Sequence, residues 1–334
     1  MNKASKIYVA GHRGLVGSAV MRGLETKGYT NVVTRRSSEL DLRRQAEVEE
    51  FFEAEKPEYV FLCAARVGGI MANSTYKGDF IYDNIMIASN VINAARLSGV
   101  KKLINLGSSC IYPKLAPQPL KEEYLMTGPL EPTNEPYAIA KISAIKLCRY
   151  FNEQYGTNFL SVMPSNLYGP NDNFDLETSH VLPAMIRRFH EASAAKKSGT
   201  KAGASGEEGA DGTLTEEAEV VLWGDGSPRR EFLYVDDLAD ALLFLMERKN
   251  ADEIGEFINI GTGEDVTIKE LASRIAKITD YRGEIEWDTS KPNGTPRKLL
   301  DVSRMRDLGW VARTSLWEGL EKAYRWYLEN GAKK

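Results

Sequence analysis

The sequence predicts a doubly wound, mostly parallel α/β sheet followed by a smaller α/β lobe. Three observations carry that expectation. The apolar run Ile7-Tyr8-Val9-Ala10 breaks into Gly11-His12-Arg13-Gly14-Leu15-Val16-Gly17, and a helical pattern follows to Leu24. In strand–turn–helix order, such glycines let the backbone approach a pyrophosphate seated on the helix N-terminus. Further apolar runs at 31–34, 59–65 and 101–106 alternate with helical stretches, as parallel strands with crossovers do. Tyr137 and Lys141 then stand four residues apart at the start of a long helical run.

Composition narrows the class. The 334 residues suffice for one large α/β unit or two lobes. Hydrophobic residues make up 43% and charged residues 27%, ordinary for a soluble globular enzyme. A net charge of −4 without any basic block argues against nucleic acid as the main partner. No apolar run approaches the roughly 20 residues of a membrane span. The first residues turn strand-like too soon for a signal peptide. Cys63, Cys110 and Cys148 lack CxxC spacing and read as free thiols in a reducing cytoplasm.

Several stretches carry candidate chemistry. The glycine spacing is GxxGxxG rather than GxGxxG. The second strand, 31–34, should end beside the adenosine ribose, where a carboxylate suits NAD and an arginine suits the 2′-phosphate of NADP. Here the residues are Arg35 and Arg36, with Arg13 in the glycine turn, which points to NADP(H). Asp41 and Leu42 are expected to reach the adenine. The fourth strand, 101–106, ends in Leu106-Gly107-Ser108-Ser109-Cys110, at the sheet edge where open α/β folds place their ligands.

Tyr137 and Lys141 fall on one helix face. A nearby ammonium lowers a phenol's pKa, so the pair is expected to act as an acid/base on a carbonyl oxygen, with Ser108 bonding the same oxygen. His180 opens a helix expected to run to 192 and is a candidate acid. Cys110, on the sheet-edge loop, is a candidate for proton exchange on carbon. Residues 233–238 read as a strand entering a helix capped by Asp236. The stretch 194–219 is rich in Gly, Ala, Lys and Glu and reads as a flexible insert. The expected division is a cofactor domain over 1–165 and a discontinuous substrate lobe over 166–330, with residues near 230–260 returning to the first sheet.

Taken together, strand-GxxGxxG, Ser108 and Tyr137-x-x-x-Lys141 resemble the extended short-chain dehydrogenase/reductase family, whose sheet is Rossmann-type. The resemblance sharpens in Ser108-Ser109-Cys110-Ile111-Tyr112-Pro113-Lys114, in 131–141, in 166–174 and in Arg229-Arg230-Glu231-Phe232. These resemble members that epimerise GDP-4-keto-6-deoxy-D-mannose at C3 and C5 and reduce its C4 ketone. The resemblance implies an NADP(H)-dependent enzyme with a GDP-sugar substrate and no metal. It implies Cys110 as base and His180 as acid, with Ser108 and Tyr137 on the C4 oxygen and Lys141 keeping Tyr137 acidic and holding the nicotinamide ribose. The implied cofactor set is the glycine turn, Arg35, Arg36, Asp41, Leu42, Leu106, Gly107, Ser108, Ser109, Tyr137, Lys141, Pro164, Ser165, Asn166, Leu167 and His180. The implied substrate contacts are Ser108, Ser109, Cys110, Asn166, Arg188, Trp223, Arg230 and Asp288. A homodimer is expected through helices 84–97 and 137–151, which are apolar over much of their circumference. Two alternatives stay open. One is another nucleotide-sugar epimerase or dehydratase, such as a 4-epimerase that keeps NAD and needs no Cys/His pair. The other is a non-catalytic NADP-sensing protein, a class that commonly lacks the Tyr/Lys pair.

Overall fold

The computed structural model of the chain describes residues 1–176, 178–198, 219–291 and 293–331. In the first half, strands Ile7–Ala10 (β1), Val32–Val33 (β2), Tyr59–Leu62 (β3), Lys102–Leu106 (β4) and Phe159–Pro164 (β5) are linked through helices Leu15–Thr26 (α1), Gln45–Glu55 (α2), Ile70–Thr75 (α3), Lys77–Leu97 (α4) and Glu135–Tyr155 (α5). The second half holds strands Asn166–Tyr168 (β6), Val220–Trp223 (β7), Arg229–Arg230 (β8), Phe232–Tyr234 (β9), Ile258–Ile260 (β10), Val266–Thr267 (β11), Ile285–Asp288 (β12) and Arg297–Lys298 (β13). Its helices are Val181–Ser198 (α6), Val235–Arg248 (α7), Ala251–Ile254 (α8), Ile268–Ile278 (α9), Ser303–Asp307 (α10) and Leu316–Asn330 (α11).

The main sheet has the order β10-β5-β4-β3-β1-β2, and every pairing is parallel. Alternation along the strands explains its two covered faces. Ile7, Val9, Phe61, Ile104 and Leu160 join one core with α1 and α7. Their neighbours Tyr8, Ala10, Val60, Leu103 and Phe159 join another with α2, α4 and α5. Burial on both faces is why these runs read as continuously apolar in the sequence. A further core, around Tyr168, Leu182, Phe189, Leu222, Leu271 and Leu320, belongs to the later segments.

The expected return to the first sheet occurs through α7, which packs on the α1 face, and β10, which pairs with β5. Three local expectations change. The helix of Tyr137 starts two residues earlier and runs to Tyr155, with Pro136 in its first turn and Gly156 ending it in a left-handed conformation. Asp236 is not a cap: Tyr234 holds that position without a side-chain bond, and Asp236 sits in the first turn of α7, paired with Arg22. An aspartate there meets the positive helix end without bonding it. Of the expected insert, 194–198 continue α6, and 199–218 lie outside the described residues.

Glu231 is fully buried between β8 and β9. One carboxylate oxygen accepts the N–H groups of Thr262 and Gly263, just past β10, and the other accepts that of Leu300, just past β13, at 2.9 Å. Its own carbonyl accepts from Asn166 Nδ2 at 2.7 Å. A Cβ at Gly261 would stand 2.1 Å from the Glu231 carboxylate, so the turn must be bare there. Burial pushes this carboxyl above the usual range, and the N–H bonds oppose it. Glu231→Ala orphans three donors, that of Leu300 buried and those of Thr262 and Gly263 part-buried, each costing about 1–3 kcal/mol. Urea unfolding should show a loss of at least about 3 kcal/mol. A loss below about 1 kcal/mol would show that the joint is held elsewhere.

Candidate active site

The cofactor edge begins at the glycine turn. Gly11 has φ +81° and accepts the Gly14 N–H at 3.0 Å. A Cβ at Gly17 would lie 2.1 Å from the Gly11 carbonyl oxygen, so a side chain there would force α1 off the turn. No side chain caps α1 at Gly14, which leaves its first N–H groups available to an anion. Leu15 and Val16 pack on the core behind them. Arg13 and Arg36 are exposed, and both lower the pKa of His12, whose Nδ1 is buried without a partner among the described residues. Arg13 and Arg36 form a cationic corner beside His12, whose imidazole burial and these two charges keep neutral. Arg35 departs from expectation: its guanidinium pairs with Glu55 on α2 and lies over the Phe51 ring. Asp41 is likewise held by Arg43, which also reaches Asp83. Leu42 stays at this edge, its carbonyl bonded by Asn90 at 2.9 Å.

The chemical centre forms where β4 ends. Lys141 is buried and donates to the Leu106 carbonyl at 2.8 Å, fastening α5 to that strand. Burial lowers the Lys141 pKa to about 8, and the thiols of Cys110 and Cys63 oppose the shift. Tyr137 lies one turn earlier, its ring centroid 5.6 Å from the Lys141 ammonium and edge-on to Phe80. Contrary to expectation, its phenol is pushed far above the ordinary value by burial, with Cys110 adding to the rise. Tyr137 therefore stays protonated. Gly107 abuts Met163, and Ser108 begins a short helical turn, Ser109–Ile111, that buries Cys110. The turn is pinned from below by Tyr112, whose hydroxyl donates to Asn259 Oδ1 on β10 at 2.6 Å. Burial raises the Cys110 thiol, while Ser108, Lys298 and Lys141 pull it down.

Beyond β5, Ser165 donates its N–H to Ile260 at 3.0 Å, which holds the Pro164-to-Leu167 stretch to the sheet edge. The Ser165 hydroxyl is buried without a partner among the described residues. Asn171 has φ +66° and donates to Ser18 Oγ at 3.0 Å, bringing its loop onto α1. His180 ends the loop just before α6. Its ring reaches an open surface, but the protein behind it desolvates it and lowers its pKa.

At the far end, Arg188 on α6 donates to the Val221 carbonyl at 3.1 Å, two residues before Trp223. Trp223 is 55% exposed and so is not a core residue. It pairs with Asp288 across β7 and β12. The Asp288 carboxylate accepts from the Ser290 N–H and hydroxyl, so its own turn occupies it. Arg230 spends one donor on the Arg229 carbonyl at 2.8 Å and is desolvated.

With this geometry in place, comparison with known proteins is decisive. The model of the NAD dependent epimerase/dehydratase family matches residues 7–261. The chain belongs to that family. GDP-L-fucose synthase 1 of Arabidopsis thaliana is 54% identical over 329 residues, spanning 98% of this chain and 95% of its own. GDP-L-fucose synthase of Escherichia coli is 51% identical over 331 residues, covering 97% of each chain. The solved structure of MlghC, a GDP-mannoheptose C4 reductase from Campylobacter jejuni with NADP bound, superposes with a TM-score of 0.87 at 39% identity. That match covers 98% of this chain and 99% of the other.

This epimerase/dehydratase carries one cation near its centre that sequence reasoning missed. Lys298 on β13 pairs with Arg230 on β8 and lines a small cavity shared with Ser109 and Cys110. Burial lowers its pKa while Cys110 opposes the shift. The only sequence signal is a basic pair, Arg297-Lys298, in a short strand far down the chain. Asp172 was also missed. Its carboxyl is pushed up to about 7 by burial, and one oxygen has no partner among the described residues. A folded pKa raised above the ordinary 3.8 means the unfolded chain ionises first, so stability falls as pH rises from about 4 to about 7. Asp172→Asn removes that penalty. Its melting temperature should exceed the parent's at pH 7.5, with the gain shrinking towards pH 4. A pH-independent difference between the two proteins would contradict the assignment.

Proposed function

We propose that the chain is an NADPH-dependent 3,5-epimerase and 4-reductase that converts GDP-4-keto-6-deoxy-D-mannose into GDP-L-fucose. One observation carries the reading: a thiol, a phenol and an ammonium influence one another in a single buried site at the end of β4. Reduction alone needs the phenol and the ammonium; the thiol is surplus to it. The relatives named above act in the same chemical territory, which supports the choice of substrate.

The residues fit the cofactor. The glycine turn and the uncapped start of α1 suit a pyrophosphate, and Arg13 with Arg36 suits a 2′-phosphate. When bound, NADPH supplies the hydride that reduces C4. The chain's own groups do the rest. A 4-keto group acidifies the hydrogens on C3 and C5, and inversion requires proton removal on one face and return on the other. Cys110, as thiolate, removes the proton; Lys298, Lys141 and Ser108 favour that form. His180 returns a proton from the opposite side. Ser108 and Tyr137 donate hydrogen bonds to the C4 oxygen, stabilising the enolate. Tyr137, kept neutral by burial, is loaded to give its proton to that oxygen after hydride transfer. Arg188 and Arg230 serve the diphosphate, because guanidinium forks match phosphate oxygens. Trp223 offers an exposed ring to the nucleotide end. A 4-epimerase of the same family would have no use for the buried thiol.

The protein is expected to work as a homodimer away from any membrane. Among the described residues no helix is long and apolar enough to cross one. Ile139 and Tyr150 are 39% and 51% exposed and lie three turns apart on one face of α5, and Tyr82 on α4 is 60% exposed. Two such helix pairs make a four-helix interface. Light scattering at micromolar concentration should give twice the chain mass; a monomer would rule this out.

NADPH oxidation with GDP-4-keto-6-deoxy-D-mannose, followed by product identification, tests the activity directly. Arg13→Ala and Arg36→Ala should raise the KM for NADPH more than that for NADH. Arg35→Ala should change the ratio little, because Glu55 already holds that side chain. Equal use of both cofactors by the parent would sink the assignment of this corner. Cys110→Ser should slow exchange of the C3 and C5 hydrogens with heavy water by about 10²–10⁴-fold. Tyr137→Phe should instead lose hydride transfer while exchange stays detectable by NMR. Exchange at the parent rate in Cys110→Ser would return Cys110 to a packing role.

A further inference from the structure

Gly69 opens α3 with φ −64° and ψ 179°, values that any residue adopts, so its backbone does not need glycine. Contact is what excludes a side chain. A Cβ at position 69 would stand 2.9 Å from the Ser179 carbonyl oxygen and 3.5 Å from that of Thr178. The Gly69 N–H donates to the Thr178 carbonyl at 2.9 Å, so two backbones lie directly against each other. The next residue along is His180.

Both sides of this contact are braced. Asn73, itself buried, donates to the carbonyls of Gly68 and Gly69 at 2.7 and 3.0 Å. Asn84 on α4 exchanges two hydrogen bonds with the backbone of Arg66, and Arg66 is tied to Asp83. Opposite, Asp175 accepts the Thr178 N–H and hydroxyl, and its carbonyl accepts the Ser179 N–H at 3.0 Å. Neither side can yield cheaply, so a methyl group inserted between them displaces the segment that ends in His180.

We propose that Gly69 is a positioning residue for His180: its missing side chain sets how closely Thr178 and Ser179 approach, and hence where the imidazole stands over the sugar. This rests on the reading of His180 as the acid that returns a proton to carbon. Such an acid must stand within hydrogen-bond reach of its target, and a misplacement of about 1 Å can cost about 10²-fold.

The test is Gly69→Ala with two readouts. The first, inverting exchange, is deuterium entering C3 and C5 of GDP-4-keto-6-deoxy-D-mannose on the face opposite to the proton lost, read by NMR of the epimerised sugar in heavy water with NADP+ present. The second is single-turnover formation of NADPH from NADP+ and GDP-L-fucose, which moves a hydride from C4 and a proton from the C4 hydroxyl and needs no carbon acid. Exchange should fall by about 10–100-fold in kcat, with the sugar KM and the second readout within about twofold of the parent. Gly78→Ala, where an added Cβ meets open space, should change neither. Unchanged exchange in Gly69→Ala, or an equal loss in both readouts, overturns the proposal. His180→Gln separates the two levels: if exchange survives it, the acid assignment itself fails. Should Gly69→Ala not fold, Asn73→Ala removes the amide that braces the same turn. It should bias the loss towards exchange, and an equal loss in both readouts overturns the idea there too.

Discussion

The buried carboxylate of Glu231 is the constraint on which the two lobes depend. It stands at the junction of β8 and β9, yet its hydrogen bonds reach the turn after β10 and the chain after β13. The first belongs to the main sheet and the second to the strands around Arg230. Through its own carbonyl it also holds Asn166, where the chain leaves β5. One side chain thus ties together segments from distant parts of the sequence. The desolvation of that carboxyl is offset by backbone N–H groups that would otherwise lack partners.

A second constraint is electrostatic. The centre gathers a thiol, a phenol and two amines where water is scarce, and burial shifts each towards its neutral form. Charge then develops only where neighbours favour it. At Cys110 those neighbours are Ser108, Lys298 and Lys141, drawn from three separate elements.

Much of this was legible in the chain. The glycine turn, the alternating apolar runs and the Tyr/Lys spacing depend on local periodicity, and local periodicity survives folding. What escaped depended on partners remote in sequence. The Arg35–Glu55 pair depends on α2 bringing Glu55 to the end of β2, and Asp83, which Arg43 reaches together with Asp41, comes from α4. The phenol of Tyr137 was expected to be acidified by Lys141, but helical spacing says nothing of the burial that pushes the phenol up. Lys298 had only a basic pair as its local signature, because a two-residue strand becomes meaningful only when paired with β8.

The bond from Lys141 to the Leu106 carbonyl has a consequence for how the site tolerates change. It spans the exit of β4 and the first turns of α5, so the separation between Ser108 and Tyr137 is gauged by a side chain and not by the chain that joins them. The intervening stretch, 113–134, is cinched at its base by the Lys114–Glu131 ion pair. Within it Leu120 exchanges backbone hydrogen bonds with Leu299 and Asp301, Gln118 accepts the Leu299 N–H and Glu122 accepts that of Asn259. An insertion there would be felt first by the segment that carries Lys298, while the Lys141 bond keeps Ser108 and Tyr137 at their spacing.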